Sequence, residues 1–165
     1  MDSEAYRKAA RRLAASGSPA WRAIPASVLL FLALVATAAH GQAAADSLAI
    51  RTAALDYIEG WYAGDAERME RSLHPELVKR IVGTRGGTNI LEEMTAAELV
   101  AATSRGGGRQ TPARRQRTDV RILDIFGNNA SVRVDAHAWI DYMHLALWNG
   151  EWKIVNVLWA ERRVE

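Results

Sequence analysis

The sequence predicts an α+β fold in which three helices of the N-terminal half pack on a strongly bent, mostly antiparallel sheet. Three observations carry this. The order reads helix, helix, strand, helix and then four consecutive antiparallel strands, the separation of helices from runs of strands that marks α+β chains. Asn149-Gly150 sits between the apolar runs Asp141 to Trp148 and Glu151 to Trp159, and a type I′ hairpin turn needs positive φ at both of its central residues. The 120 residues from Asp46 onward are enough to bury one core.

The chain opens with a basic leader holding Arg7, Lys8, Arg11, Arg12 and Arg22, then an uncharged 14-residue run, Ala26 to Ala39. The run is short of the ~20 apolar residues of a spanning helix, and small residues follow it, so residues 1–45 read as a signal peptide cleaved between Ala39 and Asp46. The expected destination is the periplasm. The alternative is a membrane anchor through residues 26–39. Removing residues 1–45 takes away 5 basic and 2 acidic residues and leaves 16 Lys and Arg against 17 Asp and Glu. The basic balance therefore belongs to the leader, which removes the electrostatic case for a nucleic-acid partner. There is no cysteine for a disulfide or a lipid anchor.

Asp46 or Ser47 is expected to cap a first helix to about Ala63, with Ile50, Ala54, Tyr57, Ile58 and Trp61 at helical spacing. Gly64 ends it, Asp65 caps a short second helix through Ser72, and Pro75 forbids continuation. Leu77 to Val82 reads as a strand that the glycine-rich loop at 83–87 turns back toward Asn89 to Leu91. Thr95-Ala-Ala-Glu98 is a capping box for a third helix from Ala96 to about Thr103, and Gly106-Gly107-Gly108 frees the chain after it. Arg117 to Phe126 and Ala130 to Ala136 form an antiparallel pair, followed by the Asn149-Gly150 hairpin.

A two-residue hairpin loop sets Leu147 opposite Trp152, Leu145 opposite Ile154, Met143 opposite Asn156 and Asp141 opposite Leu158. That register puts Asp141, Met143, Trp152 and Asn156 on the apolar face. Tyr142, His144, Trp148, Val155, Val157 and Trp159 fall on the other, which is too apolar to stay wet and is expected to form a homodimer.

Several segments together resemble one family. They are Tyr57-Ile-Glu-Gly-Trp61-Tyr-Ala-Gly-Asp65, Leu73-His-Pro75, Met94-Thr95, Asp141-Tyr-Met-His-Leu145 and Asn149-Gly-Glu-Trp152-Lys-Ile-Val-Asn156-Val-Leu-Trp159. Their order is similar to that of the nuclear transport factor 2-like superfamily, specifically its lumazine-binding branch, over residues 46–161. The resemblance implies a cone-shaped α+β fold around a cavity and a dimer through sheet surfaces. It implies no particular reaction.

The expected ligand is an unidentified small molecule, largely apolar or aromatic, lined by Tyr57, Trp61, Asp141, Met143, Trp152 and Asn156. If the domain is an enzyme, Asp141 is the general base of an isomerase or dehydratase and Tyr57 the oxyanion donor. Otherwise Asp141 accepts a hydrogen bond from a helix N-terminus or a Trp N–H and fixes the corner, or the cone is filled and the domain is a non-catalytic accessory module. No cofactor is expected. No metal is expected either, because Asp135, His137 and His144 lack a ligand spacing. Six arginines between Arg105 and Arg121, opposed only by Asp119, read as a solvated loop or an anion-recruiting patch.

Overall fold

The computed structural model describes the backbone of residues 26–162 and the side chains of Gly41 to Arg162. The basic leader therefore lies outside the described residues, as do the side chains of the apolar run. Among the described residues no helix is long and apolar enough to cross a membrane. The described residues from Gly41 onward cluster as one unit.

The first helix, α1 (Ala26–Ala63), runs through the expected start at Asp46. Ala43, Ala44 and Ala45 are strong helix formers and give the chain no reason to break there. Asp46 is thus not a cap. Its carboxylate accepts hydrogen bonds from Trp152 Nε1 at 3.2 Å and Gln42 Nε2 at 3.0 Å. Gly64 ends α1 at φ +66°, which L side chains rarely adopt, and Asp65 caps α2 (Ala66–Ser72) by accepting from Arg68 N at 3.0 Å. Strands β1 (Leu73–Arg85) and β2 (Thr88–Thr95) form a longer hairpin than the sequence suggests. The capping box at Thr95 and Glu98 opens α3 (Ala96–Ser104) as expected. A short 3₁₀ turn at Ala113–Arg115 leads into β3 (Asp119–Phe126), β4 (Asn129–Asp135), β5 (Trp139–Trp148) and β6 (Glu151–Glu161).

The six strands form one open sheet in the order β2-β1-β6-β5-β4-β3, with only β1 and β6 parallel. The α+β class and the three-helix, bent-sheet arrangement follow the expectation. Asn149 and Gly150 take φ of 51° and 85°, as a type I′ turn demands. The core lies between α1 and the inner face, where Ile50, Ile58, Met69, Leu77, Val132, Val134, Met143, Leu145, Ile154 and Val157 are almost wholly buried.

The hairpin register departs from expectation beyond Leu145. Leu145 pairs with Ile154, but His144 then pairs with Asn156, Met143 with Val157 and Asp141 with Trp159. Val155 is an extra residue, a β-bulge. The slip carries Asn156 to the outer face and brings Val157 and Trp159 inside. A second bulge, at Leu123, interrupts the pairing of β3 with β4, and the β1–β6 register is broken between Leu73 and Val78. The three irregularities fall along one line across the sheet, near the row Asp124, Ser131, His144 and Asn156. Extra residues increase local twist and bend, so this line is where the sheet curves.

Two ion-pair clusters tie the elements together. Asp56 on α1 accepts from Arg68 Nε at 2.7 Å and Arg71 Nε at 2.9 Å on α2, and Arg68 also reaches Glu59. Asp135 accepts from Arg133 and Arg162 at 2.8 and 2.9 Å. Burial alone pushes the Asp56 carboxyl up, but Arg71 and Arg68 together outweigh it and hold it below its ordinary range. The Arg133 hydrogen bond, with Arg162 and against burial, does the same for Asp135. A depressed carboxyl pKa means that the unfolded chain binds more protons than the folded one near pH 4, so this stabilisation is present above the unfolded value and lost as pH falls through the folded one. Asp56→Asn and Asp135→Asn should each lower stability by about 1 kcal/mol at pH 7, a few degrees in Tm, given the partly exposed arginines. The gap from wild type should close toward pH 2 in thermal melts. A gap that stays constant with pH would show that the charges are not responsible.

Candidate functional site

Three parts of the fold converge on one hollow. On α1, Tyr57 and Trp61 are four residues apart and therefore share a helix face. On β1, the inward positions Leu77 and Ile81 flank Lys79, so alternation turns a lysine toward the interior. Cross-strand pairing of Asp141 with Trp159 sets those two side by side, with Trp139 two residues before Asp141 on the same face. Met94 at the end of β2 and Leu99 in the first turn of α3 complete a cavity of about 270 Å³, walled by Tyr57, Trp61, Lys79, Met94, Leu99, Trp139 and Trp159.

A buried polar node lies at this hollow. Lys79 Nζ donates to Asp141 Oδ1 and to the Tyr57 hydroxyl, each at 2.6 Å, while Trp139 Nε1 donates to Asp141 Oδ2 at 2.7 Å. Asp141 has no exposed surface and the Lys79 side chain is only 10% exposed. The ammonium also stands 5.0 Å from the Trp159 ring centroid and 5.3 Å from that of Tyr57, within cation–π range. Burial lowers the Lys79 pKa, opposed by the charge and hydrogen bond of Asp141. Burial, reinforced by Asp141, pushes the Tyr57 phenol well above its ordinary value. Tyr57 is a neutral hydroxyl at physiological pH.

Trp61 is braced on two sides. Trp61 packs edge-on to Trp139 at 6.3 Å between centroids. The run Gly106-Gly107-Gly108 lies against Trp61. A Cβ on Gly108 would stand 2.3 Å from the Trp61 carbonyl oxygen, and one on Gly107 would stand 2.4 Å from the indole ring. The glycines expected to loosen the chain instead let its backbone press on a tryptophan. From the arginine-rich segment, Arg109 Nε donates to the Ala63 carbonyl at 2.9 Å, answering the C-terminus of α1.

The residues singled out from sequence separate. Tyr57 and Trp61 stand on the cavity wall. Asp141 lies buried behind it, one oxygen accepting from Lys79 and the other from the Trp139 N–H. Met143 packs in the core, and Trp152 sits near the hairpin turn against Asp46, seven residues along β6 from Trp159. Asn156 is on the outer face, accepting from Arg80 Nη1 at 3.0 Å and contacting His144 Nδ1 at 3.2 Å, because the Val155 bulge turned it out. Lys79, Trp139 and Trp159 were missed. The Leu77-x-Lys79-x-Ile81 alternation was the available signal for the lysine. Among the described residues no His, Asp and Glu cluster is placed to hold a metal ion.

An α+β cone with a hollow between its opening helix and a bent sheet is the nuclear transport factor 2-like class of fold, and solved structures agree. A nuclear transport factor 2-like protein with a cystatin-like fold from Novosphingobium aromaticivorans superposes with a TM-score of 0.62 at 16% identity, covering 80% of this chain and 92% of that one. One of unknown function from Shewanella baltica OS155 gives 0.57 at 18% identity, with 73% and 97% covered. Another of unknown function, from Methylobacillus flagellatus KT, gives 0.52 at 23%, with 72% and 94% covered. These identities speak for the fold alone. The profile of the family described as "Putative lumazine-binding" matches residues 45–160, and the chain belongs to that family. No curated protein is significantly similar to it.

The Lys79–Asp141 pair has a measurable signature. Removing one partner of a buried pair leaves the other uncompensated, at a cost of about 3–5 kcal/mol. Lys79→Met and Asp141→Leu should each lose about that much in urea unfolding. The double variant should lose distinctly less than the sum of the two single losses, with Trp139 and Tyr57 still short of partners. Additive losses would mean that the two groups are not coupled.

Proposed function

We propose that the domain binds a small neutral aromatic molecule in the hollow beneath α1. The observation that carries this is the wall itself, in which four aromatic rings, Tyr57, Trp61, Trp139 and Trp159, and the apolar Met94 and Leu99 enclose about 270 Å³. Apolar cavities of about 150 Å³ hold benzene, and drug-sized pockets begin near ~300 Å³, so the volume suits one or two rings. Charge supports neutrality: the only ionised side chain on the wall, Lys79, is balanced by Asp141. The same engagement of Asp141 favours binding over general-base catalysis.

The reading is tested by thermal shift with a panel of neutral one- and two-ring aromatics on wild type and on Met94→Trp, which should fill the hollow. Binding raises Tm as RT ln(1 + [L]/Kd), so at a hundred times Kd the gain is about 2.7 kcal/mol for wild type and close to none for the filled variant. Equal shifts in both proteins, or none in wild type, would remove the proposal.

A second reading concerns the outer face of the sheet. Tyr142 pairs with Leu158 there, and with nearby Val82 these side chains are about half exposed or more, at 47%, 48% and 60%. We propose that a second copy of the chain covers this surface. The apolar patch is smaller than the sequence suggests, since Val157 is core and Trp159 lines the hollow, while Tyr142, His144 and Val155 remain outside. Trp148, at the hairpin tip, stacks edge-on with His74 at 4.7 Å. Light scattering after size exclusion should give a dimer mass that Leu158→Lys reduces to a monomer. A wild-type monomer at high micromolar concentration would dispose of this interface.

A further inference from the structure

Lys79 brings to the hollow a hydrogen-bond donor that its partners among the described residues do not exhaust. An ammonium carries three protons. Two of those on Lys79 go to Tyr57 and Asp141, and the third meets no acceptor among the described residues. The indole N–H of Trp139 is committed to Asp141. On the acceptor side, Asp141 takes protons from Lys79 and Trp139 and stands behind the wall with no exposed surface, while the Tyr57 oxygen takes one from Lys79. A proton of a nearly buried ammonium left without an acceptor carries a desolvation penalty that a bound acceptor relieves. The cavity is also electrically balanced, so an anion would bring an uncompensated charge out of water.

We propose that the ligand is a neutral aromatic carbonyl compound, such as an aryl ketone or lactone of one or two rings, whose oxygen accepts the third proton of Lys79. This rests on the binding reading above and adds the polar requirement to it. The Trp159 ring, close to the ammonium, offers a face on which the aryl group can lie while its oxygen reaches Nζ.

Three probes with one skeleton test it: 1-indanone, indane and indane-1-carboxylate, titrated into the whole protein with tryptophan fluorescence as readout. Indanone should bind about tenfold more tightly than indane, the worth of a hydrogen bond to a charged donor, and the carboxylate more weakly than the ketone. In Lys79→Met/Asp141→Leu the ketone advantage should fall to about onefold while indane still binds. The infrared stretch of ¹³C-carbonyl indanone bound to wild type should move to lower wavenumber than in alkane, which reads the bond without any variant. Equal affinity of ketone and hydrocarbon, an advantage that survives in the double variant, a carboxylate that binds best or an unshifted stretch would each overturn the carbonyl proposal and leave the aromatic pocket standing. If none of the three probes binds wild type, the pocket reading falls and the carbonyl proposal falls with it.

Discussion

The contact on which the site depends is the buried ion pair of Lys79 and Asp141. The two residues come from strands that are not neighbours, since β6 runs between β1 and β5, and Tyr57 from α1 is drawn into the same node. One ammonium therefore links the opening helix to two strands across a third. Such a pair recovers little net stability over a well-packed apolar alternative, because the cost of removing two charges from water nearly cancels their attraction. What it fixes is position. With Lys79 held beneath Tyr57, the end of α1 is kept over the sheet at a set place, and the space beside it stays open.

That arrangement needs the sheet to curve, and the curve has a local cause. The bulges at Leu123 and Val155 and the irregular start of the β1–β6 pairing fall on one line across the strands. On one side of this line Leu145 and Ile154 pack into the core, while on the other Asp141, Val157 and Trp159 turn inward. Without the extra residue at Val155 in the count, strict alternation would send Trp159 to solvent and bring Asn156 inside. Leu158 would then stand opposite Asp141, and the hollow would lose the Trp159 ring.

These relations explain which parts of the structure were legible in sequence. The Asp65 cap, the Thr95–Glu98 capping box and the Asn149-Gly150 turn are decided by a few adjacent residues, and each forms where the sequence places it. The face assignment of Asn156 was not legible, because a bulge is a compromise between strands distant in sequence and leaves no mark in the two-residue period. Lys79 was hidden by its type, since a lysine in a strand ordinarily faces water. Only its place between Leu77 and Ile81 hinted otherwise. The glycines at 106–108 carry the same lesson: the sequence shows that the backbone is free, and the fold shows that Trp61 occupies the space a side chain would need.

A hollow lined by aromatic rings would normally be expected to close on itself, because rings attract one another and empty apolar volume is costly. Here each ring is held by something besides contact with the other rings. Trp139 is anchored through its N–H to Asp141, Tyr57 through its hydroxyl to Lys79, and Trp61 by the glycine backbone behind it. Trp159 is fixed by the strand pairing that sets it beside Asp141. Collapse would have to break a buried charged hydrogen bond, move a strand or displace the glycine backbone behind Trp61. The polar node therefore acts on recognition chiefly by keeping the walls apart, so that little ordering is left for the moment of binding.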